Sequence, residues 1–234
     1  MCTVVVRRSS GQTPVIVALR DELASRPFDD PGPWWPDQPS VVGGRDQVAG
    51  GSWCVTHLGT ATTALVLNRP IRRVAAVGAP SRGVLPLLAV KHGQAWPNHV
   101  DVTGMATFTV VLVTPSTATV WDFDGGGLER RDLDEGTHMI TSGGVEDGKA
   151  ERFLQVFATT PTEGWVDLLR QAPPADDRTA LVVRHEGFDD EGNDVVFATV
   201  FGQVIAGRSI SFSREPWTAA AWTDLQPVRP VDDR

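Results

Sequence analysis

The chain has 234 residues, 41% of them apolar and 21% charged, a mix that supports a sizeable core in one large domain and excludes wholesale disorder. Lys and Arg total 21 against 29 Asp and Glu, and the resulting net charge of −8 has the wrong sign for a protein that neutralises phosphates, so nucleic acid is excluded as a partner. Two cysteines, Cys2 and Cys54, without a CxxC pair or a Cys/His cluster at zinc spacing, exclude a disulfide framework and a structural zinc site.

Thr3–Arg8 and Pro14–Leu19 are β-branched runs around Ser9-Ser10-Gly11-Gln12-Thr13, which predicts an N-terminal hairpin with a five-residue loop. The Pro- and Trp-rich segment from Pro27 to Pro39, with Trp34-Trp35, cannot join a central strand and reads as an ordered surface loop or lid. Gly43-Gly44 and Gly50-Gly51 lack the lysine of a phosphate-binding loop and read as turns. Further strands are predicted at Ser52–Leu58, Thr62–Leu67, Ala106–Val113 and Thr117–Phe123, the last two joined at Pro115-Ser116. Pro86–His92 predicts a short helix ending at Gly93.

From Val145 the spacing becomes helical, through Ala150, Phe153, Leu154, Phe157 and Ala158. Thr160-Pro161-Thr162-Glu163 then has the pattern of a capped helix start ahead of Trp165, Val166, Leu168 and Leu169. Strands return at Ala180–Arg184, Val195–Val200 and Ser209–Ser213, with the acidic stretch Glu186–Asp194 as a solvated hairpin loop. Residues 1–226 read as one domain and 227–234 as a frayed tail. Strands, then helices, then strands give an α+β design. The longest apolar runs, such as Val84–Val90, fall far short of the roughly 20 residues that span a bilayer. The start Met1-Cys2-Thr3-Val4 lacks the pattern of a secretory signal, and a cytoplasmic protein is expected.

Met1-Cys2 is the most informative pair. A small second residue permits removal of the initiator methionine, after which Cys2 carries the free α-amine. An α-amine with pKa of about 7.7–8.0 and a thiol near 8.5 place base and nucleophile on one residue. If Arg8 pairs with Pro14, partner numbers along the hairpin sum to 22, and Cys2 stands opposite Arg20 with Cβ atoms about 5 Å apart. The Arg20 guanidinium would then favour thiolate and could hold a substrate carboxylate. Asp21, one step on, could orient the α-ammonium or Arg20. The plain alternative is a solvated strand end at Arg20-Asp21-Glu22.

The residues also carry a resemblance. Met-Cys at the start, Leu19-Arg20-Asp21-Glu22, Ser25-Arg26-Pro27, Gly43-Gly44-Arg45-Asp46, Ala49-Gly50-Gly51-Ser52-Trp53, Leu67-Asn68-Arg69 and Ser81-Arg82-Gly83 follow one another over residues 1–90 as do the motifs of the NRDE family, also called transport and Golgi organisation protein 2 homologues. The second half resembles it more loosely: Phe201–Pro216 is similar to its closing strands and Gly136-Thr137-His138 to a loop before its helix. That family is similar to the cysteine N-terminal nucleophile hydrolases, which implies a four-layer αββα sandwich. The resemblance further implies attack of Cys2 on an amide carbonyl, a proton carried by its α-amine, and hydrolysis of a thioester by water. Asn68 would donate to the oxyanion, and Arg45 and Trp53 would belong to the binding site.

The chain departs from the pattern in three places. Leu19 replaces the motif's first asparagine, Ser142 stands where a later asparagine is expected, and Asp194-Val195-Val196-Phe197 lacks a later arginine. Trp53, with Trp34 and Trp35, either lines an apolar acyl pocket or packs in the core, and Cys54 should face the opposite side of its strand as a buried thiol. The five histidines are scattered, so neither a metal nor a cofactor is expected. Two functions follow: an amidohydrolase cleaving a non-peptide C–N bond of a small acyl substrate, or a non-catalytic carrier of haem, lipid or acyl-CoA. Without CxxCH, haem would bind noncovalently. The oligomeric state is not encoded in these patterns.

Overall fold

The computed structural model describes residues 2–69, 75–143, 148–189, 191–218 and 222–225. The predicted tail at 227–234, the helix start at Val145 and Met1 lie outside them. β1 (Thr3–Arg8) and β2 (Val15–Leu23) form the predicted hairpin, with Thr3 opposite Leu19 and Arg7 opposite Val15. Three consecutive valines make the first half of β1 a strand covered on both faces, with Val4 and Val6 on one side and Val5 on the other.

β3 (Phe28–Gly32) and β4 (Val41–Asp46) correct two sequence expectations. The Pro- and Trp-rich segment begins as a strand, but an edge one, where Pro31 costs no ladder bond inside the sheet. Gly43-Gly44 lie within β4 rather than in a turn: a Cβ on Gly43 would meet the Cys54 carbonyl oxygen at 2.4 Å and one on Gly44 the Trp53 indole at 2.2 Å. Gly50 does turn, with φ of 71°. β5 (Cys54–His57), β6 (Thr62–Asn68), β7 (Phe108–Val113) and β8 (Ala118–Phe123) fall where predicted. β9 (Leu128–Leu133) and β10 (Gly136–Thr141) were not predicted. β9 is a charged edge strand, and β10 pairs along β1 where a loop was expected.

α1 (Leu85–His92) ends at Gly93, with φ of 59°. α2 (Gly148–Thr159) and α3 (Trp165–Gln171) follow the helical spacing, although no side-chain cap forms before α3: one 3-10 turn at Thr162–Gly164 leads into it, and the Thr160 carbonyl accepts from the Trp165 indole instead. β11 (Arg184–Phe188) starts where the predicted strand Ala180–Arg184 ends, and β12 (Asp194–Ala206) extends the predicted one at both ends. The acidic hairpin loop is therefore shorter than expected. β13 (Ser209–Ser213) and β14 (Thr223–Leu225) complete the described strands.

Two seven-stranded antiparallel sheets result. One has the order β10-β1-β2-β12-β13-β14, with β11 also paired to β12; the other runs β3 to β9 in sequence. Val4, Ile16, Leu65, Val111 and Ile205 fill the space between the sheets. Phe157, Trp165 and Leu169 of α2 and α3 cover the outer face of the first sheet, and Leu85, Ala89 and Val90 of α1 cover the second. The described elements form a four-layer αββα sandwich, as the sequence resemblance implies. Between Thr199 and Phe201, β12 bulges against Asp21 and Arg20 of β2. Among the described residues no helix is long and apolar enough to cross a membrane.

Candidate active site

The β1–β2 register extended by one residue sets Cys2 against Arg20, at one end of the space between the sheets. Even-numbered residues of β2 from Ile16 to Ala18 face the opposite sheet, and Arg20 continues that face. Odd-numbered residues face the helices, and Asp21 continues theirs. Neighbouring residues on β2 thus serve different sides.

A cleft of about 290 Å³ opens at this end, with Cys2, Arg20, Trp53, Asn68 and Arg82 among its walls. Arg20 is only 4% exposed, and its guanidinium lies 4.5 Å from the centre of the Trp53 ring and 5.1 Å from that of Phe28. Its Nη2 donates to Asp46 at 3.2 Å and lies 3.6 Å from Glu22. Trp53, Phe28 and Phe201 pack edge to face at 5.5–5.8 Å, building an aromatic wall around the cation. The loop before β5 and the start of the α1 segment meet backbone to backbone. A Cβ on Gly51 would stand 2.5 Å from the Gly83 carbonyl, to which the Ser52 N–H donates at 2.9 Å. That contact carries Arg82 to the cleft, where its Nη1 donates to the Thr107 carbonyl at 2.9 Å.

Burial pushes the half-buried Cys2 thiol up, and the Asp21 carboxylate adds to the rise. The chain-terminal ammonium, a hydrogen bond from the Asp21 backbone N–H and the Arg20 guanidinium all act the other way. The Cys2 nitrogen donates to the Ser142 hydroxyl at 2.8 Å, and the Ser142 N–H returns a bond to the Cys2 carbonyl at 3.2 Å. Ser142 therefore grips the main chain of the nucleophile candidate. Asp21 lies behind it, buried on the helix side, accepting from the Thr199 hydroxyl at 2.6 Å with Lys149 Nζ at 3.6 Å. Lys149, 1% exposed, also donates to the Thr3 hydroxyl at 3.1 Å.

Of the residues singled out in the sequence, Cys2, Arg20, Asn68 and Trp53 line one cleft. Asp21 stands one layer behind. Arg45 is not there: it pairs with Asp29 at 2.7 Å and lies over Trp34, at the outer edge of β4. Cys54 is wholly buried as expected, but it shares the inter-sheet core with Trp53, because Trp53 occupies the bend before β5 and strand alternation does not separate the two. Arg82 and Lys149 escaped the sequence reading. Lys149 left a signal, a charge i−4 and i−8 from Phe153 and Phe157 on the apolar stripe of α2; Arg82 left none beyond its motif. Among the described residues, no group of three His, Cys, Asp or Glu is placed to hold a metal ion.

Among solved structures, the chain is similar to the C2A mutant of the conjugated bile acid hydrolase from Clostridium perfringens, with a TM-score of 0.56, 9% identity, and coverage of 97% of this chain and 92% of that one. At that identity the likeness is one of fold. No curated protein sequence matches the chain. The model of the family Transport and Golgi organisation 2 matches residues 1–163, more than two thirds of the 234. With the αββα sandwich and the motif order along its first half, the chain belongs to the Transport and Golgi organisation 2 family.

Proposed function

We propose that the chain is a cysteine N-terminal nucleophile amidohydrolase that cleaves a non-peptide C–N bond. The carrying observation is the position of the Cys2 thiol in the cleft, beside the Arg20 guanidinium and under the Asp21 backbone N–H. After removal of Met1, the Cys2 α-amine takes the thiol proton as sulfur attacks the amide carbonyl. The C–N bond then breaks, the proton leaves with the amine, and a thioester remains. Water, deprotonated by the same amine, attacks the thioester, releasing the acid and restoring the thiol. Ser142 holds the nitrogen that moves the proton, and Asn68 at the end of β6 faces the cleft as the oxyanion donor.

The bile acid hydrolase acts, as its name states, on conjugated bile acids. Here the cleft is small and lined by ion pairs, which favours a compact polar substrate. The same ion-paired lining weighs against a haem or lipid carrier, since pockets for apolar ligands and cofactors are lined mostly by apolar side chains. The two unpaired cysteines support a reducing, cytoplasmic setting. Mass spectrometry of protein made in its native host tests the premise: the mature chain should begin at Cys2, and a thiol-reactive acyl probe should label that residue. A chain that keeps Met1, or that is correctly processed and not labelled, overturns the proposal.

A further inference from the structure

The cleft is locally basic in a chain of net charge −8. Its described walls carry three guanidinium groups, on Arg20, Arg26 and Arg82, against two carboxylates, on Glu22 and Asp46. Arg26 and Asp46 largely satisfy each other. Nε and Nη2 of Arg26 reach the two oxygens of Asp46 at 2.6 and 3.1 Å, and the backbone N–H groups of Val48 and Ala49 complete its Oδ1. Arg20 and Arg82 are left with Glu22 as the other acid.

Glu22 is a loose partner. Its Oε2 lies 3.6 Å from Arg20 Nη2 and 3.9 Å from Arg26 Nε, well beyond the roughly 2.7–2.9 Å of a charge-assisted hydrogen bond. The second amino group of Arg20, Nη1, is buried and has no hydrogen-bond partner among the described residues. A buried donor without an acceptor is rare in a folded protein, and a bound anion is one way to satisfy it. Burial works against the charge on both Arg20 and Arg82, and the acidic groups that offset it are Cys2 and Glu22 for both, joined by Asp46 for Arg20. An added anion would relieve both arginines at once.

We propose that Arg20 Nη1 and Arg82 receive a carboxylate of the ligand, and that Glu22 is the resident counter-ion which that carboxylate displaces. Preferred substrates are then small amides that carry a carboxylate close to the scissile bond. The word substrate rests on Cys2 as nucleophile; the anion site stands without it. A planar carboxylate matches the fork of a guanidinium and forms two parallel bonds to it, which a neutral amide of the same shape cannot do.

Titration calorimetry on the Cys2→Ala protein, which cannot turn over, separates the two ideas. Succinate should bind, with succinamide at least about tenfold weaker. Arg82→Gln should weaken succinate by about tenfold, and Glu22→Gln should tighten it severalfold by removing the competitor. Where Arg82→Gln fails to fold, Arg82→Lys, which keeps the charge, and Glu22→Gln carry the test. Equal binding of succinate and succinamide, inorganic phosphate binding as tightly as succinate, or weaker succinate binding in Glu22→Gln overturns the proposal. Succinate binding by a protein whose Cys2 does no chemistry would sink the hydrolase reading alone. Hydrolysis of neutral amides without succinate binding would sink the carboxylate site alone.

Discussion

The two cysteines occupy regions of opposite character within one sandwich. Cys54 lies between the sheets, where burial pushes its thiol far above the usual range against the opposing pull of a hydrogen bond with Gln203. Cys2, at the open end of the same space, is also raised by burial, but a cation, a backbone N–H and the terminal ammonium pull against that rise. Packing makes the first thiol inert; charge makes the second adjustable. The comparison teaches that reactivity here follows from the walls around the sulfur and not from depth alone.

The largest effect should come from replacing each sulfur in turn. Cys2→Ala is expected to abolish hydrolysis, by at least about 10³-fold in kcat, and to remove labelling by iodoacetamide. Cys54→Ala should leave both in place; labelling of Cys54 in the folded protein would break the contrast. Next comes the charge behind the cleft. Asp21→Asn strips Lys149 of a carboxylate partner while both side chains remain buried, and should cost about 3–5 kcal/mol in urea unfolding. The double variant Asp21→Asn, Lys149→Met should recover part of that loss, whereas a simple packing role for Lys149 would make the two losses add.

Arg20→Met tests the electrostatic half of the contrast. Loss of a cation that favours thiolate raises the Cys2 pKa, so the pH profile of alkylation should move to higher pH and the reaction near pH 7 should slow. Protein that retains Met1 should shift in the same direction, since its ammonium is no longer on Cys2 itself. The smallest effect belongs to Arg45→Ala. It breaks a partly exposed pair with Asp29 and a surface contact over Trp34, should change stability by at most about 1 kcal/mol, and should leave Cys2 alkylation unaltered.

These residues also show how far the sequence could be read. The hairpin, its register and the helix at Leu85–His92 follow from local patterns of branching, turn chemistry and period, and they suffice to set Cys2 against Arg20. β9 and β10 were missed because Glu129–Asp132 and Gly136-Thr137 carry the polarity of loops; they are held in strands by their neighbours β8 and β1 and not by their own propensity. Arg82 reaches the cleft only because Gly51 and Gly83 let two loops touch, a contact between residues 32 apart in the sequence that no local pattern announces. In the sequence Ser142 only marks the place of an expected asparagine; in the structure its hydroxyl accepts from the Cys2 nitrogen, an assignment that needs the pairing of β1 with β10.

The bulge in β12 couples both sides of the sheet to a single extra residue. Thr199 and Phe201 are two apart and in an unbroken strand would point the same way; with Val200 inserted, Thr199 reaches Asp21 toward the helices while Phe201 joins the aromatic wall beside Arg20. A descendant that lost Val200 would have to give up one of these partnerships or re-thread the strand as far as Ala206. Loops elsewhere in the molecule are free to lengthen and shorten over time, but this stretch is one whose length selection for either partnership would hold fixed.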